Sequence, residues 1–441
     1  MHQSPAPIDT LIEARWIIPV DIKNSIHNNH AIAVDQGKII DVFPASETVN
    51  RYNPKRTVSL QNHILIPGFI NLHTHAAMTL MRGLADDLPL MEWLNEHIWP
   101  AEQLHVNETY VYDGTRLACA EMLRGGVTCF NDMYFFPEAS AQAALAAGIR
   151  AVIGMIAVDF PTTYASDADD YLAKGLILRD NLQSESLLRF SFAPHAPYTV
   201  SDKTFTRILT YAEQLDIPIH LHLHETDEEI RMGLESHGMR PIERLHRLGL
   251  LTPNLIAVHM VQLTEPDLRL LQQNGCHVAH CPSSNLKLAS GFAPIASLLD
   301  ANINVGLGTD SAASNNRLDM FEEMRLAALL AKAVSSQANT LPAYQALQMA
   351  TINGAKALGI EAITGSLVPG KAADITAVDL SDLNLLPCYD PVSHLVYAAG
   401  REHVSHVWVN GKMCVENKQL TTLNISELEN RAVYWQERLA N

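Results

Sequence analysis

Between residues 67 and 365 short apolar runs alternate with amphipathic helical stretches, and this alternation constrains the fold more than any other feature of the chain. "RAVIGMIAV" follows the alanine-rich "PEASAQAALAAGI". "LRFSFAPHA", "IPIHLHLHE", "NLIAVHM", "CHVAHCP" and "INVGLGTDS" each precede or follow a helical pattern. Strand–helix alternation implies βαβ units and a parallel sheet. A span of about 300 residues with around eight such units predicts an α/β fold of the (β/α)8 TIM-like barrel type.

The flanks have a different texture. Residues 7 to about 66 read as short strands, with Asp35-Gln36-Gly37 joining two apolar runs as a hairpin turn. The other end holds "KAADITAVDL" and "HVSHVWVNGKMCVENKQL", where Asn410-Gly411 is a two-residue turn signal. Each flank is too short to bury a good core alone. We therefore expect residues 1–66 and 366–441 to combine into one small β-sandwich domain, with a metal-dependent catalytic barrel, 67–365, inserted between them.

Active sites of such barrels form at the C-terminal ends of the strands. Few ionisable residues end an apolar run here. They are His73 and His75, His195, the group His222, His224 and Glu225, then His259, His280 and Asp310. Side chains alternate along a strand, so His73 and His75 face the same way. Imidazole and carboxylate donors suit zinc or another borderline first-row ion, and three or four of them beside an open position make a catalytic site. A lone strand-end histidine is an ordinary hydrogen-bonded residue. Recurrence on successive strands is what points to a metal. Alternation puts His220, His222 and His224 on one face, so spacing leaves open which of them binds. His97, His105, His277 and His280 read as structural or supporting residues. Glu225 also reads as an N-cap-region carboxylate of the following helix "TDEEIRMGLESHG", and Glu102, just after Pro100, as a helix-start acid. For His195 an ordinary strand-end hydrogen bond is the plain alternative.

Composition removes several function classes. With 31 basic and 48 acidic residues the formal charge is −17, which disfavours a phosphate backbone or an anionic membrane surface as partner. The six cysteines form no CxxC pair, so reduced thiols in a cytoplasm are the plain reading. The first residues lack a basic-then-apolar leader pattern, and no apolar run reaches the ~18 residues of a membrane span.

At this point the chain resembles the amidohydrolase superfamily. "PGFINLHTH", "HLHET", "AVH", "HCPSSNLKLASG" and "GLGTDS" occur in that superfamily's order, with "LVPGKAADI" and "VNGK" in the flank. Within it, "MRGLADDLPLMEWLNEHIWPAE" and "HAPYTVS" resemble the methylthioadenosine/S-adenosylhomocysteine deaminase family. The resemblance implies that His73, His75, His222 and Asp310 hold one divalent ion per subunit, zinc first among candidates. It implies that Glu225 shuttles a proton, that His259 and Asp310 act on the reacting water, and that Glu102, His195 and Glu225 contact the substrate. No lysine ends the strand carrying His195, so a carbamate-bridged metal pair is not expected. The HxE…PCxxC signature of the other zinc deaminase fold is absent, so flipped bases in nucleic acid are not expected substrates.

The implied reaction is hydrolysis of the 6-amino group of an adenine nucleoside, giving the inosine analogue and ammonia. Attack on a poorly electrophilic ring carbon needs hydroxide, and a divalent ion lowers the pKa of water to about 7. The small nucleoside is then the partner, with a homo-oligomer possible from the resemblance alone. The alternative is a related enzyme deaminating guanine, cytosine or a triazine. Among nucleosides, the loop "DFPTTYASDADDYLAK" has four Asp, two Tyr and one Phe, and no basic residue before Lys174. A carboxylate-bearing 5′ tail wants a guanidinium fork. If this loop lines the 5′ end, 5′-methylthioadenosine is favoured, then adenosine, then S-adenosylhomocysteine, unless Arg82 or Arg150 reaches in. "AAMTLMRG" is expected to open a segment covering the nucleoside.

Overall fold

The computed structural model describes residues 5–440. The N-terminal flank supplies β1 (Ala6–Ile17), β2 (His27–Asp35), β3 (Lys38–Pro44) and β4 (Tyr52–Pro67). The barrel strands are β5 (Phe69–Thr74), β6 (Val127–Met133), β7 (Arg150–Ala157), β8 (Leu188–Pro194), β9 (Ile219–Leu223), β10 (Leu255–His259), β11 (His277–His280) and β12 (Asn304–Leu307). The C-terminal flank adds β13 (Ile375–Asp379), β14 (Val404–Val409), β15 (Lys412–Glu416) and β16 (Gln419–Leu420).

β5 to β12 lie side by side in sequence order as one eight-stranded sheet, and every pair is parallel. Parallel strands covered by crossover helices are buried on both faces, and β5, β6, β7 and β10 are buried along their whole length. The barrel closes where the end of β12 meets β5. There the N–H of Asp310 donates to the carbonyl of His73 at 3.0 Å. Gly308 permits this approach, because a Cβ on it would stand 2.8 Å from the backbone nitrogen of His73. Closure therefore brings the residues of the last and first strand ends together.

The second sheet runs β16-β15-β14-β13-β4-β1-β2-β3, so strands from the two chain ends meet at β4 and β13, with Leu65 opposite Ala377. The sheet curls until its two hairpin tips touch. Gly37 accepts from the N–H of Ala373 at 2.8 Å, and the N–H of Gly411 donates to the Ala373 carbonyl at 3.0 Å. Ile12, Ile32, Leu65, Ile375 and Trp408 share the enclosed core. The chain is thus a (β/α)8 barrel carrying a β domain built from both ends. Arg150, at the start of β7, bonds Asp374 at the entry to β13, and both are buried.

The C-terminal flank also holds two helices that its β-rich texture does not announce. Pro391–Tyr397 and Ile425–Leu439 both pack on barrel helices. In the second, Trp435 meets Tyr110 edge-on at 5.1 Å between ring centroids, and its indole N–H donates to Asp113 at 2.9 Å. All six cysteines are unpaired. Among the described residues no helix is long and apolar enough to cross a membrane.

Candidate active site

At the C-terminal rim of the barrel, His73 and His75 from β5, His222 from β9 and Asp310 just beyond β12 point their donor atoms at one another. His73 Nε2 lies 3.1 Å from His222 Nε2 and 3.2 Å from Asp310 Oδ1. His75 Nε2 lies 3.3 Å from both of those atoms. All four donors fall within 4.8 Å of one another.

The protons on these rings explain why the cluster wants a cation. His75 Nδ1 bonds the Met133 carbonyl at 2.5 Å, and His222 Nδ1 bonds the His195 carbonyl at 2.9 Å. A carbonyl only accepts, so each of these Nδ1 atoms carries the hydrogen and each Nε2 is a bare lone pair. His73 Nδ1 lies 2.9 Å from His220 Nε2, and with His73 as the donor of that bond its Nε2 is a lone pair as well. Lone pairs and a carboxylate oxygen thus converge with no hydrogen between them. A point about 2.0 Å from two atoms 3.2 Å apart sees them at roughly the tetrahedral angle, which is the bond length and geometry of zinc with nitrogen and oxygen donors. The residues fit a divalent ion.

Asp310 is held to deliver one oxygen inward. Its Oδ2 accepts from the hydroxyls of Ser284 at 2.6 Å and Ser314 at 2.8 Å. Burial alone would raise its pKa, but the proximity of His73 and His75 holds it well below the usual carboxylate range. Burial pulls His73 down to about 4, with His75 adding to the effect and Asp310 opposing it. Burial also pulls on His75, but there Asp310 and the Met133 carbonyl outweigh it and the ring is raised.

The three alternating histidines of β9 separate cleanly. His222 joins the cluster. His220 stands behind His73. His224 lies past the strand end with φ of +56°, which turns it away to bond the Gln262 carbonyl and accept from the N–H of Ile242. Left-handed backbone recurs at His259 (φ +72°) and Asp310 (φ +60°), so three strand ends of the rim carry backbone strain.

A cavity of about 660 Å³ opens over the cluster, and His75, His222 and Asp310 form part of its floor. Glu225, His259, His195 and Glu102 line it as well. His259 is aimed by Asn285, whose Oδ1 accepts from Nδ1 at 2.8 Å, and its Nε2 stands 3.7 Å from Glu225 Oε2. Burial raises the pKa of Glu225, with His259 opposing. His195 bonds Thr199 through Nδ1 at 3.1 Å, and burial pushes it down to about 3. Glu102 accepts the Tyr134 hydroxyl at 2.8 Å. All eight candidates named from the sequence meet at this one cavity: seven line it, and His73 lies directly beneath in the donor cluster.

The strand-end pattern does not mark Ser284, Ser314, Asn285 or Tyr134 as site residues. Ser284 and Asn285 lie inside "HCPSSNLKLASG", and Ser314 is four residues past Asp310, so motif position was the available signal. The far wall is apolar. Leu90, Trp93 and Trp99 come from the covering segment, where Trp93–Ile98 forms a stretch of π-helix, a form often found at functional sites. Phe160, Pro161, Thr162 and Thr163 come from the loop after β7. Among the described residues no Lys or Arg lines the cavity. Arg150 is engaged with Asp374, and Arg82 with Glu121 and the Asn316 carbonyl. The aspartates of the loop serve other ends: Asp167 caps the helix Ala168–Leu182, Asp169 pairs with Arg207, and Asp159 accepts from Ser201 and Thr204.

Barrel, composite β domain and a His3Asp rim cluster together define a metal-dependent hydrolase architecture. The chain belongs to the Amidohydrolase family, which it matches over residues 64–414. It is similar to the 5-methylthioadenosine/S-adenosylhomocysteine deaminase of Saccharophagus degradans, with 48% identity over 98% of this chain and 97% of that protein. It is 41% identical to the 5'-deoxyadenosine deaminase of Methanothermobacter thermautotrophicus over 89% of this chain and 91% of that one. A crystal structure of an adenosine deaminase from Xanthomonas campestris with bound zinc superposes with a TM-score of 0.97, at 47% identity and 99% coverage of both chains.

Proposed function

We propose that this protein is a hydrolytic deaminase of adenine nucleosides, with one divalent ion, zinc, held by His73, His75, His222 and Asp310. The observation that carries the reading is the convergence of bare imidazole nitrogens and an ionised carboxylate beneath a cavity that Glu225 and His259 also face. When bound, the ion supplies the Lewis acidity that makes water a nucleophile near neutral pH. The protein's own groups move the protons. Water adds to C6 of the purine and gives one proton to Asp310, while His259, fixed by Asn285, orients it. Glu225, whose protonated form is favoured by burial, donates to the adjacent ring nitrogen. The proton taken from water passes to the amino group, the C6–N bond breaks to release ammonia, and the remaining hydroxyl proton on C6 returns to Glu225 to leave the 6-oxo product.

Glu102 accepts hydrogen bonds from the ribose hydroxyls, a role that a free base would leave unused. His195 binds the nucleoside beside it. The 5′ substituent lies against Phe160, Trp93 and Trp99, with no cation to receive a carboxylate. That lining supports 5′-methylthioadenosine as the favoured substrate, followed by adenosine and then S-adenosylhomocysteine. The support comes from apolar walls rather than from the acidic residues of the 159–174 loop. The name of one similar protein, a 5'-deoxyadenosine deaminase, agrees with an apolar 5′ end, while that of the other covers both methylthioadenosine and S-adenosylhomocysteine. We also divide the chain into a catalytic barrel, 67–365, and a composite β domain, 1–66 and 366–441, supported by the end of β4 at Pro67 and the start of β5 at Phe69. Unpaired thiols support a reducing compartment, the cytoplasm.

The test is ammonia release from adenosine, 5′-methylthioadenosine, S-adenosylhomocysteine, adenine, guanine and cytosine, with metal analysis of the same sample. We expect the highest kcat/KM for 5′-methylthioadenosine and about one zinc per chain. Equal turnover of adenine and its nucleosides would overturn the nucleoside reading. A tenfold preference for S-adenosylhomocysteine would overturn the 5′ assignment.

A further inference from the structure

The Glu225 carboxyl group has little of its own to hold it. Its one hydrogen bond is a long one, 3.4 Å from the Ser290 hydroxyl, and His259 stands 3.7 Å away. Its direction is therefore set by its backbone. That backbone follows His224, whose φ of +56° is a left-handed conformation unfavourable for a non-glycine residue. A turn of this kind persists only when its surroundings hold it.

Glu229 holds it. Its Oε1 accepts the N–H of His224 at 2.9 Å, and its Oε2 accepts the N–H of Glu225 at 2.8 Å. The residue is 4% exposed and does not line the nucleoside cavity. It occupies the third position of the helix Asp227–His237, whose N-cap Thr226 accepts its N–H at 3.3 Å. In an ordinary capping box a carboxylate at that position turns back to the N–H of the N-cap itself. Here it reaches further, to the two amides before the cap. Both of its oxygens are committed to the turn that presents Glu225, and the helix start anchors them.

We propose that Glu229 is a positioning residue for Glu225: its two-oxygen grip on consecutive amides fixes the left-handed turn and so aims the Glu225 carboxyl at the cavity. This rests on the reading of Glu225 as proton donor to the purine. An amide at position 229 can accept only one of the two N–H groups, and a misplacement near 1 Å in an active site can cost about a hundredfold in rate.

The experiment is a double-mutant cycle on the metal-loaded full chain with Glu225→Gln, Glu229→Gln and the pair, reading kcat, KM and metal content. Glu229→Gln is expected to lower kcat ten- to hundredfold with KM within about twofold and metal content unchanged. In the Glu225→Gln background it should cost no more than a further twofold, because the group it aims has lost its function. Losses that multiply in the double variant, or an unchanged kcat in Glu229→Gln while Glu225→Gln is impaired, would overturn the proposal alone. Full turnover by Glu225→Gln would instead remove the proton-donor reading and the proposal with it. If Glu229→Gln does not fold, amide hydrogen exchange of the wild-type chain decides. The His224 and Glu225 amides should exchange at least tenfold more slowly than those of Asp227 and Glu228, and equal rates would overturn the grip.

Discussion

Tyr134, at the end of β6, donates its hydroxyl hydrogen to Glu102, on the helix Trp99–His105, at 2.8 Å across the cavity wall. Barrel rim and covering segment are thereby joined at the carboxylate assigned to the ribose. Burial pushes that carboxyl up to about 7, while the Tyr134 bond and the charge of His75 act against the rise.

The pH dependence of substrate binding follows. Below about 7 Glu102 is protonated and loses an acceptor, so KM for nucleosides should rise as pH falls through that value. Glu102→Gln should flatten this limb. Tyr134→Phe removes a bond that favours the ionised form, so the limb should move to higher pH. A KM for adenosine constant from about pH 6 to 8 would contradict the assignment.

Removing the metal should loosen the barrel rim. Without a cation, bare nitrogens and an ionised carboxylate oxygen stand about 3.2 Å apart with nothing between them. An ion present at a thousand times its dissociation constant contributes about 4 kcal/mol to stability. Chelation should therefore lower Tm by several degrees, and one equivalent of zinc should restore it. His73→Ala should show the lower Tm with or without zinc. A chelator-insensitive Tm would speak against a metal centre.

Asn285 should matter through His259 alone. Asn285→Ala frees the ring that it fixes at 2.8 Å and should lower kcat on the order of tenfold, less than His259→Ala, with metal content unchanged. A loss of metal in Asn285→Ala would show that it supports the cluster instead.

Phe160 offers a change of specificity. It lines the cavity and is 41% exposed, so a longer polar side chain is tolerated there. Phe160→Arg should place a guanidinium at the 5′ end and shift the kcat/KM ratio toward S-adenosylhomocysteine over 5′-methylthioadenosine by about tenfold. An unchanged ratio would mean that the 5′ tail lies elsewhere.

Arg150→Ala tests the junction of barrel and β domain. It leaves Asp374 buried and without its guanidinium, which costs about 3–5 kcal/mol in comparable cases. Denaturation in urea should show that loss while kcat of the folded fraction stays the same.

The strand-end residues were readable in the sequence because a parallel barrel converts chain order into a ring. Any ionisable group closing an apolar run, from His73 to Asp310, arrives at the same rim without knowledge of a single contact. Alternation along β9 could not choose among His220, His222 and His224, because the distinction arises where the strand stops. His224 falls in a left-handed residue that no periodicity marks. Ser284, Ser314, Tyr134 and Glu229 were hidden for a related reason. Their partners lie on other loops or break the usual capping register, so their spacing resembles that of ordinary polar residues. The 159–174 loop shows the converse. Its four aspartates and lack of a basic residue before Lys174 disfavour a carboxylate tail, yet helix capping and ion pairing take aspartates of this loop and leave Phe160 and Pro161 on the cavity.

The pairing of Leu65 with Ala377 has a consequence for how the protein is made. Translation proceeds at about 5–20 residues per second, so the first strands wait roughly 15–60 seconds for their partners to leave the ribosome. During that interval β4 exposes an open edge and an apolar face, a state prone to wrong pairing. The nascent N-terminal strands are therefore the segment on which a chaperone would act. A permuted gene that begins near residue 366 and places residues 1–66 directly after the present C-terminus should shorten that wait and lower the demand.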